Sequence, residues 1–175
     1  LIHAPSGILH SAYTLRGSIA QGPEGSSIWM SAHNLLLIDE AFAKEQYQRA
    51  KQGLAREILG FAYAREWPPS WKGNADIDSG MVIPVLGASA GSSGLALVAA
   101  AAFGDKTFLK GLFASLQLAA FPQETSTTLR FLASNQVGDA VMLYALVQGP
   151  LWRLLKEGHK PQRHPSTQPT QRRTL

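Results

Sequence analysis

Ser27-Ile-Trp-Met-Ser-Ala-His-Asn-Leu-Leu-Leu-Ile38, followed after Asp39 by Glu40-Ala-Phe-Ala-Lys-Glu-Gln-Tyr-Gln-Arg-Ala-Lys51, carries two helical patterns of different kinds. The first is apolar nearly all round, with Ile28, Trp29, Ala32, Leu35, Leu36 and Ile38. The second is amphipathic, and its stripe of Phe42, Tyr47, Ala50, Leu54 and Ile58 predicts a helix continuing to about Leu59. A buried helix lying beside a surface helix produces this asymmetry. Ser26-Ser27 is the expected N-cap of the first, and the break near Asp39 turns the chain into the second.

The pattern recurs downstream. Met81 to Phe103 carries no charge, and Ser89 to Phe103 is rich in Ala, Leu and Gly. Gly104-Asp105 closes it and opens an amphipathic helix with Phe108, Leu109, Leu112, Phe113, Leu116 and Leu118. After a loop at Pro122 to Thr128, Asn135-Gln-Val-Gly-Asp-Ala-Val-Met-Leu-Tyr-Ala-Leu-Val predicts a third apolar helix, stopped by Gly149-Pro150. Leu151 to Leu155 begins its outer partner. The spacing of about 50 to 60 residues predicts an all-α array of helical hairpins, with a long irregular loop from Trp67 to Gly80 before the second.

The 175 residues are 45% hydrophobic and contain no cysteine, which excludes a disulfide scaffold and a thiolate metal site. The formal charge is +4. From Leu1 to Leu155 eleven basic residues balance eleven acidic ones, so the excess lies wholly in Lys156 to Leu175. That segment is polar and proline-containing, and it reads as a disordered tail after a folded domain of residues 1–155. Basic residues so thinly spread, without interleaved aromatics, make no nucleic-acid surface. The chain starts at Leu1 without a signal-peptide pattern, as expected of a sequence beginning inside a longer protein. The uncharged run at Met81 contains Pro84, three glycines and three serines and lacks a basic flank, so a buried helix explains it better than a membrane span.

Arg16-Gly-Ser, Ser26-Ser-Ile-Trp29, Asp39 to Tyr47, Asn74-Ala-Asp76-Ile-Asp78-Ser-Gly80, Val82 to Ala90, Ala99 to Asp105 and Val137 to Tyr144 together resemble a group of uncharacterised bacterial proteins. That group is similar to the linalool dehydratase/isomerase-like and six-hairpin glycosidase-like (α/α) toroids. The resemblance implies a partial toroid here, with three hairpins where a full ring has six. Met81 departs from it, standing where the group has proline. With no cysteine in the chain, the cysteine chemistry of linalool dehydratase/isomerase is not carried over.

In such an array, the loops before the inner helices meet at one end. They supply Glu24 and Trp29, then Trp67, Trp71, Asn74, Asp76 and Asp78, then Asn135 and Asp139. Aromatic faces with carboxylates suit a sugar or terpenoid-like alcohol, one stacking and the other moving the proton. Asp76 and Asp78 stand two apart, so an extended segment points both the same way and their pKa values split into an acid and a base. We therefore expect a hydrolase- or lyase-like pocket. Asp76, Asp78 and Asp139 are its candidate catalytic residues, and Trp29, Trp67, Trp71, Asn74 and Asn135 its substrate contacts. The bland reading of the Asp pair is a loop whose carboxylates bind backbone amides.

Other constellations are weaker. Asn74, Asp76 and Asp78 alternate like calcium ligands, but Val85 stands where an EF-hand needs its closing glutamate. Gly87-Ala-Ser89-Ala-Gly91, with Asp139 and His159 in the order of a triad, predicts a serine hydrolase, yet an oxyanion loop and βαβ alternation are missing. His33 reads as a satisfied core histidine, and His3, His10 and His164 lack zinc spacing. No Walker A or Gly-x-Gly-x-x-Gly sequence is present, so no nucleotide, cofactor or metal is implied. The alternative to an enzyme is an interaction scaffold that forms homo-oligomers through exposed inner-helix surface.

Overall fold

The computed structural model describes residues 1–73, 80 and 82–158. Two hairpins open the chain, β1 (Ile2–His3) with β2 (Ile8–Leu9), then β3 (Ala12–Tyr13) with β4 (Ile19–Gln21). Helices α1 (Gly25–Leu35) and α2 (Glu40–Leu54) follow, then the hairpin of β5 (Ala55–Ile58) and β6 (Phe61–Ala64). The second half runs β7 (Val82–Ile83), β8 (Ala88–Ser89), α3 (Ala90–Ala102), α4 (Lys106–Ala119), β9 (Pro122–Glu124), β10 (Leu129–Phe131) and α5 (Gln136–Gly158).

The fold is therefore mixed α and β. Among the described residues, ten short strands in five antiparallel two-stranded sheets overturn the expected all-α class and the partial (α/α) toroid of the resemblance. The strands span two to four residues, too few for alternation to register against the helical pattern beside them. Leu54 to Leu59 shows how this happens. Ile58 continues the helical stripe by spacing, but Leu59 and Gly60 both take positive φ, at 50° and 85°. Such a two-residue turn matches strand twist and closes a hairpin. The chain accordingly leaves the helix at Leu54, and Ile58 faces Phe61 across the ladder.

α1 and α5 flank α3, while α2 packs on α1 and α4 on α3 and β6. The core joins Ile28, Trp29 and Ala32 of α1 to Tyr47, Ala50 and Leu54 of α2 and to Phe108 and Leu112 of α4. Between them α3 contributes Ala96, Ala99 and Ala100, all fully buried. Small side chains let one helix approach several neighbours closely. β6 is held by serines on two helices: Ser115 Oγ accepts the Ala62 N–H at 3.1 Å, and Ser93 Oγ accepts that of Ala64 at 2.9 Å.

Side-chain caps set the starts of α2, α3 and α4. Asp39 Oδ1 accepts the Phe42 N–H, Ser89 Oγ that of Ser92, and Asp105 Oδ1 that of Phe108. Asp105 Oδ2 also accepts the Tyr47 hydroxyl at 2.9 Å and the Lys51 ammonium at 2.5 Å. Burial alone would raise the Asp105 pKa. The hydrogen bonds from Lys51, the Phe108 amide and Tyr47 outweigh burial and hold it below the usual carboxylate value.

The start of α1 is different. Ser26-Ser27 is not its cap; the helix begins at Gly25, after a Glu24 whose side chain makes no cap bond. Its first amides are taken by Glu66, the backbone oxygen accepting from Gly25 at 2.7 Å and Oε1 from Ser26 at 3.0 Å. A side chain at Gly25 would collide with Ser92 Oγ and the Arg65 carbonyl, so glycine permits this approach. α5 also departs from expectation, passing through Gly149-Pro150 in one piece. No helix among the described residues is long and apolar enough to cross a membrane.

Candidate functional site

Glu66 is buried, and its second oxygen accepts the Ser89 hydroxyl. One carboxylate thus joins the starts of α1 and α3 and fixes where the chain leaves the core. Trp67 follows directly. Pro68-Pro69-Ser70-Trp71 is then closed by the Trp71 N–H donating to the Pro68 carbonyl at 2.9 Å, with proline at the second turn position as type I and II turns favour. That turn lays Trp71 against Trp67, with ring centroids 6.0 Å apart and planes inclined by 19°. Both indoles are partly exposed.

The N-terminal hairpins bring histidines to the same place. His3 and His10 are buried, with ring centroids 5.7 Å apart, and meet Trp71 edge-on at 5.4 and 5.9 Å. Tyr13 closes on His10 at 5.9 Å. A side chain at Gly22 or Gly73 would run into the benzo ring of Trp71, so both glycines hold backbone against it. The Ser11 N–H donates to the Gly22 carbonyl, and Ser11 Oγ accepts the Glu24 N–H at 3.0 Å, tying this layer to α1. Glu24 is buried, with Ser27 Oγ donating to Oε2 at 3.5 Å.

Burial lowers the pKa of both histidines; His10 is lowered further by His3 and by the chain's amino group. Both imidazoles are therefore neutral near pH 7. His3 Nδ1 is paired with Ser6 Oγ at 2.7 Å. His10 Nδ1 and Trp67 Nε1 are buried and have no hydrogen-bond partner among the described residues. The Pro68, Pro69 and Ser70 link forms one wall of a shallow depression of about 290 Å3, opposite Pro5, Ser6 and the Arg49 end of α2.

The remaining expected site residues fall elsewhere. Trp29 is core rather than platform: it is fully buried, edge-on to Tyr47 at 5.9 Å, and donates its indole N–H to Ser92 Oγ at 3.1 Å. Asn135 precedes α5, where its Oδ1 accepts the Gly138 N–H at 2.9 Å, the bond of a helix cap. Asp139 lies in the first turn of α5, half-buried, and Oδ1 has no hydrogen-bond partner among the described residues. Asn74, Asp76 and Asp78 lie outside the described residues, as do the tail from residue 159 and its His159 and His164. Ser89 is committed as the cap of α3 and donor to Glu66, which leaves its oxygen poorly placed to attack a substrate.

His33 sits between helices, its Nε2 paired with Gln148 Oε1 at 2.7 Å while Gln148 donates to the Val98 carbonyl. No group of three or more His, Asp or Glu among the described residues is arranged to hold a metal ion. His3 and His10 escaped the sequence reading because neither has metal spacing. The signal available was Gly7 between Ile2-His3 and Ile8-Leu9, a short hairpin that folds the two rings together.

No protein-family model and no curated protein sequence matches the chain.

Proposed function

We propose that the Trp67–Trp71 stack is the platform of a ligand site for a carbohydrate or similar polyhydroxylated molecule. The observation that carries this reading is the pairing of two partly exposed, near-parallel indoles with two buried neutral histidines. Indole faces stack on the apolar face of a sugar ring. Asp76 and Asp78, seven and eleven residues beyond Pro69 and Trp67, are the proposed acid and base of a hydrolase- or lyase-type reaction. Two carboxylates two residues apart suit that division of roles.

Turnover and binding across a panel of glycans and terpenoid alcohols test the proposal. Glycan turnover is expected, with Asp76→Asn and Asp78→Asn each lowering it by two or more orders of magnitude. Unchanged activity in both variants would remove the acid/base assignment.

A further inference from the structure

The turn that carries the two indoles also walls a depression. Pro68, Pro69 and Ser70 link Trp67 to Trp71, and across the depression they face Arg49, Gln52 and Gly53 of α2. Pro69 is two residues from either tryptophan, so its Cα lies within about 8 Å of both of theirs. The volume of about 290 Å3 is at the small end of ligand sites, which run from roughly 300 to 1,000 Å3. Gly53 brings α2 in close beneath the turn. A β-carbon there would stand 3.0 Å from Ile8 Cδ1 and 3.6 Å from Pro68 Cβ.

Among the described residues, Arg49 is the only charged side chain on this lining. Nη1 donates to the Gly7 carbonyl at 2.7 Å, and Nη2 pairs with Glu45 one turn earlier on α2. Glu45 is not on the lining, and an exposed pair of this kind is weak and screened by water. A guanidinium presents five N–H donors in a planar fork, so these two contacts orient it and leave donors for an anion. Gln52 and Ser70 add an amide and a hydroxyl to the same lining.

We propose that the depression takes the carboxylate-bearing ring of an acidic glycan, a uronate, whose neighbouring ring stacks on Trp67 and Trp71. The inference rests on the platform reading and names its substrate class. Prolines offer apolar contact without an N–H, so selection falls to Arg49. A planar carboxylate matches its fork, whereas a cationic sugar would meet a like charge.

Titration calorimetry of the full chain with galacturonate, glucuronate and mannuronate oligosaccharides, and with their methyl esters, isolates the charge. At least one acid form is expected to bind tenfold or more tightly than its ester at low salt, with the margin shrinking as salt rises. Arg49→Gln is expected to abolish that margin, and Glu45→Gln, which frees the fork, to widen it. Should Arg49→Gln not fold, the wild-type comparison and Glu45→Gln decide. Equal binding of acid and ester by the wild-type protein overturns the proposal while leaving the platform standing. A margin that survives Arg49→Gln, or narrows in Glu45→Gln, overturns it too. If neither form binds, the uronate assignment fails; if neutral glycans do not bind either, the platform reading fails with it.

Discussion

The carboxylate of Glu66 accepts the amide hydrogen of Ser26 at 3.0 Å across forty residues of sequence. A buried side-chain oxygen at the first turn of α1 satisfies an orphan N–H. The same carboxylate receives Ser89, so one side chain sets the starts of two adjacent helices. Glu66→Ala leaves a buried hydroxyl and amide without that acceptor. It is expected to cost about 2–3 kcal/mol in denaturant unfolding, and Glu66→Gln, which keeps an acceptor, about half as much. A loss within experimental error for Glu66→Ala would show that other groups hold the two helices.

Trp29 makes the counterpart test for the core. Because it is fully buried between Tyr47 and Phe108, Trp29→Ala should cost about 3–5 kcal/mol. Trp29→Ala protein that keeps wild-type stability but loses ligand binding would restore its place in the platform.

The buried histidines give a pH signature. Their folded pKa values lie below the ordinary value of 6.5, so the unfolded chain binds protons first as pH falls. Stability is therefore expected to be full above pH 6.5 and to decline as pH drops through the folded values. The double variant His3→Gln/His10→Gln should flatten that slope in urea unfolding between pH 7 and 5. An unaltered slope in that variant would place the acid sensitivity elsewhere.

At the alkaline end Tyr47 acts in the opposite sense. Burial first, then the hydrogen bond to Asp105 and the negative charges of Asp105 and Glu57, raise its pKa well above the ordinary 10. Stability is expected to be intact below pH 10 and to fall as pH rises beyond it, where the unfolded chain ionises first. Tyr47→Phe should weaken that alkaline loss and cost about 1 kcal/mol at neutral pH. Thermal unfolding at pH 7 and above pH 10 measures both.

The helices were the legible part of this sequence. Asp39 and Asp105 mark real starts, and helices of 11 to 15 residues give periodicity room to appear. Short strands were not legible, because two residues of strand look like any apolar pair beside a turn. Ile58 was misassigned for that reason, its helical spacing being overridden by the Leu59-Gly60 turn. Pro150 is expected to end α5, but the helix runs through it to Gly158. Of the site, Trp67 and Trp71 stood out as aromatics in a loop. Trp29 was misplaced because its buried helix outweighs its nearness to that loop, and His3 and His10 depend on a hairpin with strands of two residues each.

The central claim is that a ligand stacks on Trp67 and Trp71, and the indole N–H signals of the tryptophans report on it directly. Titrating the protein with glycans and following these signals by nuclear magnetic resonance should shift Trp67 and Trp71 while leaving core Trp29 in place. A glycan that binds and moves neither Trp67 nor Trp71, or that moves Trp29 instead, would contradict it.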